Sequence, residues 1–273
     1  MSGIVNIPTR LSISELNQIV ACPNCKQSMV LDDEKDSFCD FCKEQYIRLR
    51  HSWHLIPSRF RATSNLWETW EELQNNGLAS YTHDPSHNLG VGDRSDYLEF
   101  GNFCDFSGLV LDVGCGPQPW PTHFNAARRP TRFVGVDPLI EEGSTKYAQL
   151  CALGEFLPFR NNVFDKVVFA TSLDHCIDPL PVLREAERVC QHGGDINIWI
   201  GEKLVASPQL EPSPNWYREL KKPERAGDLF HIKRLTGLDI RSILEMIKLS
   251  IVEEKSIQVS DYRRNLFLRL KRC

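Results

Sequence analysis

Apolar positions from residue 109 onward gather into short runs: LVLDV (109–113), RFVGV (132–136), KVVFA (166–170) and INIWI (196–200). Each is rich in Val, Ile or Phe and bounded by Gly, Pro or Asp, the pattern of strands buried on both faces of a parallel sheet. Between the last two, DPLPVLREAERVCQHGG predicts a helix. Asp178 caps it, Pro179 fits its first turn, positions 183, 186 and 190 share one side, and Gly193-Gly194 stops it. Ile240, Ile243, Leu244 and Ile247 follow the i, i+3, i+4, i+7 rule, so LDIRSILEMIKL reads as an amphipathic helix. Two late strands follow, SIVEEKSIQV and NLFLRL, the second with Leu266, Leu268 and Leu270 on one face. Upstream, SNLWETWEELQ reads as a helix capped by Ser64 or Asn65, with turns at Asn75-Asn76-Gly77, Asp84-Pro85, Gly90 and Gly92. The alternation of strands and helices predicts an α/β, doubly wound sheet, which binds ligands beyond the carboxyl ends of its strands.

The 273 residues allow one large domain and a small appendage. With 41% hydrophobic and 25% charged residues, the chain is globular and not disordered, collagenous or a coiled coil throughout. It has no 18-residue apolar stretch to span a membrane, and MSGIVNIPTR lacks the marks of a secretory signal, so the expected compartment is cytoplasmic. A net charge of −4 disfavours a nucleic-acid partner.

The first strand runs into Asp112-Val113-Gly114-Cys115-Gly116-Pro117. Two glycines allow a tight turn and close approach of a ligand. Pro119 stands where a dinucleotide fingerprint needs its third glycine, and Pro117, Pro119 and Pro121 remove N–H groups that would cradle phosphate. Asp112 favours a positively charged ligand, and Asp137, closing the second strand, suits the two hydroxyls of a ribose. A nucleoside bearing an amino acid and no phosphate meets these demands, and S-adenosylmethionine is such a ligand.

With these motifs, about residues 107–270 of a domain over 107–273 resemble a class I S-adenosylmethionine-dependent methyltransferase, in the branch of small-molecule and sugar methyltransferases. LVLDVGCG, FVGVD, GEFLPF, FDKVVFATSLDHCIDP and REAERVCQHGG carry the resemblance. It implies a Rossmann-like seven-stranded sheet whose last strand is antiparallel. It also places Asp112, Gly114, Cys115 and Gly116 along the methionine part of the cofactor, Asp137 and Pro138 at the ribose, Gly154, Glu155 and Phe156 around the adenine, and Thr171 near the methyl. Where many relatives have an Asp before the adenine segment, this chain has Leu153. Methyl transfer from a sulfonium needs alignment and, for a hydroxyl acceptor, removal of a proton. His175 is the candidate base, Asp174 a group to orient acceptor or imidazole, and His231 a second candidate in an insertion over about 202–236. Trp216, Tyr217 and Phe230 mark that insertion as an acceptor lid, and residues 63–106 form a helical, aromatic connector that can serve as an acceptor cap.

Cys22, Cys25, Cys39 and Cys42 give C-x2-C-x13-C-x2-C, a spacing that closes a tetrahedral structural Zn²⁺ site. Residues 18–57 resemble the zinc ribbons of the small activator of tRNA and protein methyltransferases and of some bacterial methyltransferases. The expected activity is methylation of a hydroxyl on a small molecule or glycan. RNA base methylation is the alternative, kept open by Arg263, Arg264, Arg269, Lys271 and Arg272, and a non-catalytic cofactor- or partner-binding module is the third.

Overall fold

A computed structural model describes residues 10–85, 94–204 and 214–272; the turn glycines Gly90 and Gly92 and residues 205–213 of the insertion lie outside them. Helix α1 (Ile13–Ile19) opens on a capping box between Ser12 and Glu15. Strands β1 (Ser37–Phe38), β2 (Gln45–Arg48) and β3 (Trp53–His54) form a small antiparallel sheet. Three helices follow: α2 (Ser58–Thr63), α3 (Trp67–His83) and α4 (Ser95–Cys104). The sequence pattern gave no sign of α2. In α3 the predicted turn at Asn75-Asn76-Gly77 is overridden. Burial of Trp67, Trp70 and Leu73 holds the helix together through it, and Asn76 Nδ2 donates to the carbonyls of Lys221 and Leu229. Neither Ser64 nor Asn65 caps α3, which starts after Leu66 without a side-chain cap; Ser64 Oγ accepts from Leu66 N instead.

The main sheet comprises β4 (Gly108–Val113), β5 (Thr131–Val136), β6 (Ala148–Leu150), β7 (Phe164–Ala170), β8 (Cys190–Lys203), β9 (Leu249–Ser260) and β10 (Arg263–Arg272). Its order is β6-β5-β4-β7-β8-β10-β9. The first five pair in parallel, and β10, last in the chain, runs antiparallel between β8 and β9. Alternate positions along each strand point to opposite faces. Leu111, Val167, Phe169, Ile196, Ile198, Leu266, Leu268 and Leu270 therefore share one core. Val110, Val168, Trp199 and Phe267 join the aromatic residues Tyr97, Phe100 and Phe124 in the other.

The winding is less regular than the sequence suggests. Helix α5 (Pro179–Val189) joins β7 to β8, capped by Asp178 with Pro179 in its first turn. Helix α6 (Asn215–Glu219) and helix α7 (Gly237–Leu244) lie between β8 and β9. Between β4 and β5, however, there is only a 3₁₀ turn at Thr122–Ala126, because Pro117, Pro119 and Pro121 remove donors and hold the chain extended. Gly193-Gly194 does not stop a helix: α5 ends at Val189 and β8 begins at once. The glycines absorb a register shift between Phe164↔Cys190 and Lys166↔Asp195, with Gly193 at φ +81°. Helix α7 ends before the predicted boundary, since Leu249 already belongs to β9.

The cysteine-bearing segment is joined to the sheet rather than tethered beside it. Leu55 N donates to Cys151 O (2.7 Å), Cys151 N to Trp53 O (3.0 Å) and Ala21 N to Pro158 O (3.0 Å). Ser52 Oγ donates to Gln149 O, and Lys26 pairs with Glu185 on α5 at 2.6 Å. Trp53, Leu55 and Met29 share the core of Leu111 and Val134, so 18–57 and 107–273 are not separate hydrophobic units.

Candidate functional site

The glycine turn lies where β4 and β5 end side by side, Val113 opposite Val136. Gly114 and Gly116 have φ of +78° and +72°. A Cβ on Gly114 would stand 2.2 Å from Ser172 Cβ, so glycine is required by both backbone and packing. Gly116 N donates to Asp137 Oδ2 (2.8 Å) and Leu139 N to Asp137 Oδ1 (2.9 Å). Gln149 Nε2, reaching over from β6, donates to the carbonyls of Gly116 (3.2 Å) and Gln118 (3.0 Å). Asp137 thus fixes the turn while each oxygen keeps a lone pair for a further donor. Burial raises its carboxyl to about 6 against the pull of these amides.

Asp112, fully buried, is held by a residue that the sequence reading passed over. His123 Nε2 meets Asp112 Oδ2 at 3.0 Å, deep among Tyr97, Phe100, Phe106 and Phe124. Asp112 Oδ1 and the neighbouring Gln118 Oε1 have no hydrogen-bond partner. Buried acceptors without donors are uncommon and point to a missing donor. The ammonium of an amino-acid ligand fits that need, and the hydroxyls of a ribose fit Asp137.

The residues expected on the adenine side pack against α5 and α2. Glu155 is buried, and its Oε1 accepts from the amides of Ile177 (2.8 Å) and Asp178 (3.4 Å), just ahead of α5. Burial raises its carboxyl, and these amides oppose the rise. Gly154 gives close approach to Val182 on α5. Phe156 meets Phe60 edge-on, with ring centroids 4.7 Å apart. Cys115 packs inside the turn, its Sγ 2.5 Å from where a Cβ on Gly135 would lie. The carbonyl of Pro138 accepts from Cys151 Sγ. Thr171, just after β7, has φ +57°, a conformation costly for a β-branched residue and common at functional turns.

Beyond Thr171, the structure brings together two histidines that the sequence treats separately. The rings of His175 and His231 lie 4.2 Å apart, and Asp174 Oδ2 is 3.5 Å from His231 Nε2. His231 Nδ1 bonds to Asp228 Oδ1 (2.7 Å), and Arg234 Nε holds Asp228 Oδ2 (2.7 Å). His175 Nδ1 faces the Phe230 carbonyl (3.2 Å), while the His175 carbonyl accepts from Trp70 Nε1 (2.9 Å). Burial, aided by His231, lowers His175 to about 4, which makes a lone His175 a weak base. Asp228, three residues before His231, was the signal missed. Half-buried Cys176 follows in the chain, its Sγ donating to the Ser172 carbonyl.

Helix α3 and the insertion close over this end of the sheet. His83 stacks on Trp216 at 5.4 Å, Thr69 Oγ1 donates to Glu224 O, and Tyr217 approaches Phe230. Four of the five basic C-terminal residues are engaged in ion pairs. Arg264 pairs with Glu202, Arg269 with Glu253, Lys271 with Asp195 and Arg272 with Glu187.

The four paired cysteines converge. Cys22 and Cys42 sulfurs lie 3.6 Å apart, as do Cys25 and Cys39. Thiolates about 2.3 Å from a tetrahedral ion are separated by nearly that distance. Lys26 and Lys43, each one residue past a pair, adopt left-handed φ of 62° and 64°, and their amides return to the carbonyls of Cys22 and Cys39. Burial pushes the Cys22 thiol up to about 12. It acts likewise on Cys39, but the amides of Cys42 and Phe41 outweigh it and bring that thiol to about 7. The set fits zinc.

A family model described as a methyltransferase domain matches residues 111–198. The uncharacterized protein MJ1123 of Methanocaldococcus jannaschii is 27% identical over 147 residues, 52% of this chain and 62% of that protein. A second uncharacterized protein of that organism, MJ1252, is 36% identical over 92 residues, 32% of this chain and 34% of its own length. The chain thus spans less than two thirds of either relative. The fold is similar to that of 1,6-didemethyltoxoflavin-N1-methyltransferase of Burkholderia thailandensis, solved with 1,6-didemethyltoxoflavin and S-adenosylhomocysteine, at a TM-score of 0.53 and 13% identity, covering 87% of this chain and 99% of that one. Among the described residues no helix is long and apolar enough to cross a membrane. Residues 111–198 thus match a methyltransferase domain, set in a chain whose fold is similar to that of the Burkholderia enzyme.

Proposed function

We propose that this chain transfers a methyl group from S-adenosylmethionine to a hydroxyl of a small molecule or glycan. The single observation that carries the cofactor half is the glycine turn bonded to Asp137 beside the unpartnered Asp112 Oδ1. Asp112, Gly114, Cys115 and Gly116 would hold the methionine part, Asp137 and Pro138 the ribose, and Gly154, Glu155 and Phe156 the adenine side. The cofactor supplies a methyl on a cationic sulfur, ready for in-line displacement. Thr171 follows the strand nearest that methyl, and Asp174, His175 and His231 meet the acceptor. The small enclosed acceptor is supported by the cover that α3 and the insertion place over this cluster. Pairing of Arg264, Arg269, Lys271 and Arg272 with acids weighs against RNA. Zinc at Cys22, Cys25, Cys39 and Cys42 has a structural role, since four thiolates leave no open position.

Calorimetry with S-adenosylhomocysteine tests the cofactor half; no binding to folded protein would overturn it and leave the non-catalytic reading. A radiolabelled-methyl assay against hydroxylated small molecules, sugars and total RNA tests the acceptor. Label in RNA, with salt-sensitive retention, would replace the small-molecule acceptor with a nucleic acid.

A further inference from the structure

Apart from the four cysteines, a second set of metal-ligating groups stands inside the molecule. Asp174, His175 and His231 each offer one oxygen or ring nitrogen, and these atoms lie within 4.8 Å of one another. Two come from the 3₁₀ turn Leu173–His175 after β7, the third from the insertion. Asp174 and His231 are 7% and 5% exposed. Two imidazoles and a carboxylate are a donor set for divalent iron, manganese, cobalt, nickel or zinc. Ligands about 2.1 Å from a shared ion lie about 3.0–3.5 Å apart at right-angled or tetrahedral positions, and His231 Nε2 is already 3.5 Å from Asp174 Oδ2.

The outer hydrogen bonds set which atoms are free. The Phe230 carbonyl can only accept, so His175 carries its proton on Nδ1 and keeps the lone pair on Nε2. Asp228 likewise draws the His231 proton to Nδ1, and Arg234 neutralises Asp228 from the other side. His231 Nε2 then turns a lone pair toward Asp174. Among the described residues, no hydrogen bond reaches the Asp174 carboxylate; its only polar partner is this ring. Two lone-pair atoms facing each other at a distance long for a hydrogen bond repel unless a second ring proton or a metal ion lies between them. Imidazoles that bind metal are regularly fixed in this manner, through the second ring nitrogen, by a carboxylate or a backbone carbonyl.

We propose that Asp174, His175 Nε2 and His231 Nε2 bind one divalent transition-metal ion, distinct from the thiolate site, with Asp228 and the Phe230 carbonyl as outer partners. Three protein ligands leave at least one open coordination position. The substrate class that follows is an acceptor whose hydroxyl, with a second oxygen beside it, binds the ion. That consequence rests on the methyltransferase reading, whereas the metal site stands on its own geometry.

The test is a Co²⁺ titration of chain whose cysteine site is filled with zinc, followed by calorimetry and visible absorption. The expected result is one further equivalent, with ligand-field bands and no thiolate charge-transfer band. His231→Gln should weaken uptake at least 100-fold, and Asp228→Asn about 10- to 100-fold. On the parent protein, bound Co²⁺ should also shift the imidazole proton resonances of two histidines, a readout independent of whether any variant folds. No further equivalent, unshifted imidazole signals, or unchanged uptake by a folded His231→Gln would overturn the site. S-adenosylhomocysteine binding, measured on the same samples, separates the two readings: metal without cofactor sinks only the methyltransferase, and cofactor without metal sinks only the ion.

Discussion

Asp112 and His123 form a closed pair: Oδ2 and Nε2 lie 3.0 Å apart, with side chains 0% and 2% exposed. The acid of the glycine motif is therefore gripped from the core side by a histidine eleven residues downstream. Removing one member of a buried pair leaves the other uncompensated, at a cost of about 3–5 kcal/mol. His123→Ala should lower stability by that order in urea unfolding, and a loss under about 1 kcal/mol would refute the pairing.

Asp137 gives a pH dependence with a defined sign. Its buried carboxyl titrates at about 6, above the ordinary aspartate value. Its protonated form therefore favours folding, an advantage complete below about pH 4 and lost as pH rises through about 6. Ribose hydroxyls donate to the ionised form, so S-adenosylhomocysteine should bind more tightly as pH rises through about 6 and level off above it. Asp137→Asn should flatten that profile and weaken binding by about tenfold or more. An unaltered profile in calorimetry would remove Asp137 from the cofactor site.

Two glycines with the same sign of φ should behave differently. Gly193 is at +81° with nothing within 4 Å of an added Cβ, so Gly193→Ala should cost about 1–2 kcal/mol for backbone alone. Gly114→Ala adds a collision with Ser172 Cβ and should destabilise further while abolishing cofactor binding. Equal losses in thermal unfolding would contradict the close packing at the turn.

With zinc held by the paired cysteines as proposed, its removal should be felt by the whole chain. Since Cys22, Cys39 and Trp53 share a core with Leu111 and Val134, chelation or Cys39→Ser should lower a single unfolding transition by several kcal/mol. Two separate transitions in calorimetric scanning would mean that the segment folds apart from the sheet.

The sequence made legible what depends on local rules. The strands around Val110, Val134 and Val168 announced themselves by composition, the α5 cap by Asp178-Pro179, and the thiolate set by spacing. What it hid depends on contacts between distant residues. His123 gains its meaning from a strand eleven positions away and Gln149 from a turn more than thirty away. Glu155 is placed by three-dimensional packing, which turns its Oε1 to the amides before α5. The Asn-Gly signal at residues 76–77 lost to the buried tryptophans of its own helix.

The junction of His54 and Leu55 with Cys151 has an effect on how copies of this chain meet one another. An open sheet margin is a template for a neighbour's backbone. Here one margin is occupied by the molecule's own ribbon, and the opposite margin, on β9, presents the charged run Glu253, Glu254 and Lys255. The cysteine-bearing segment thus doubles as a guard against edge-to-edge polymerisation, and its detachment would expose a margin on which fibrils can begin.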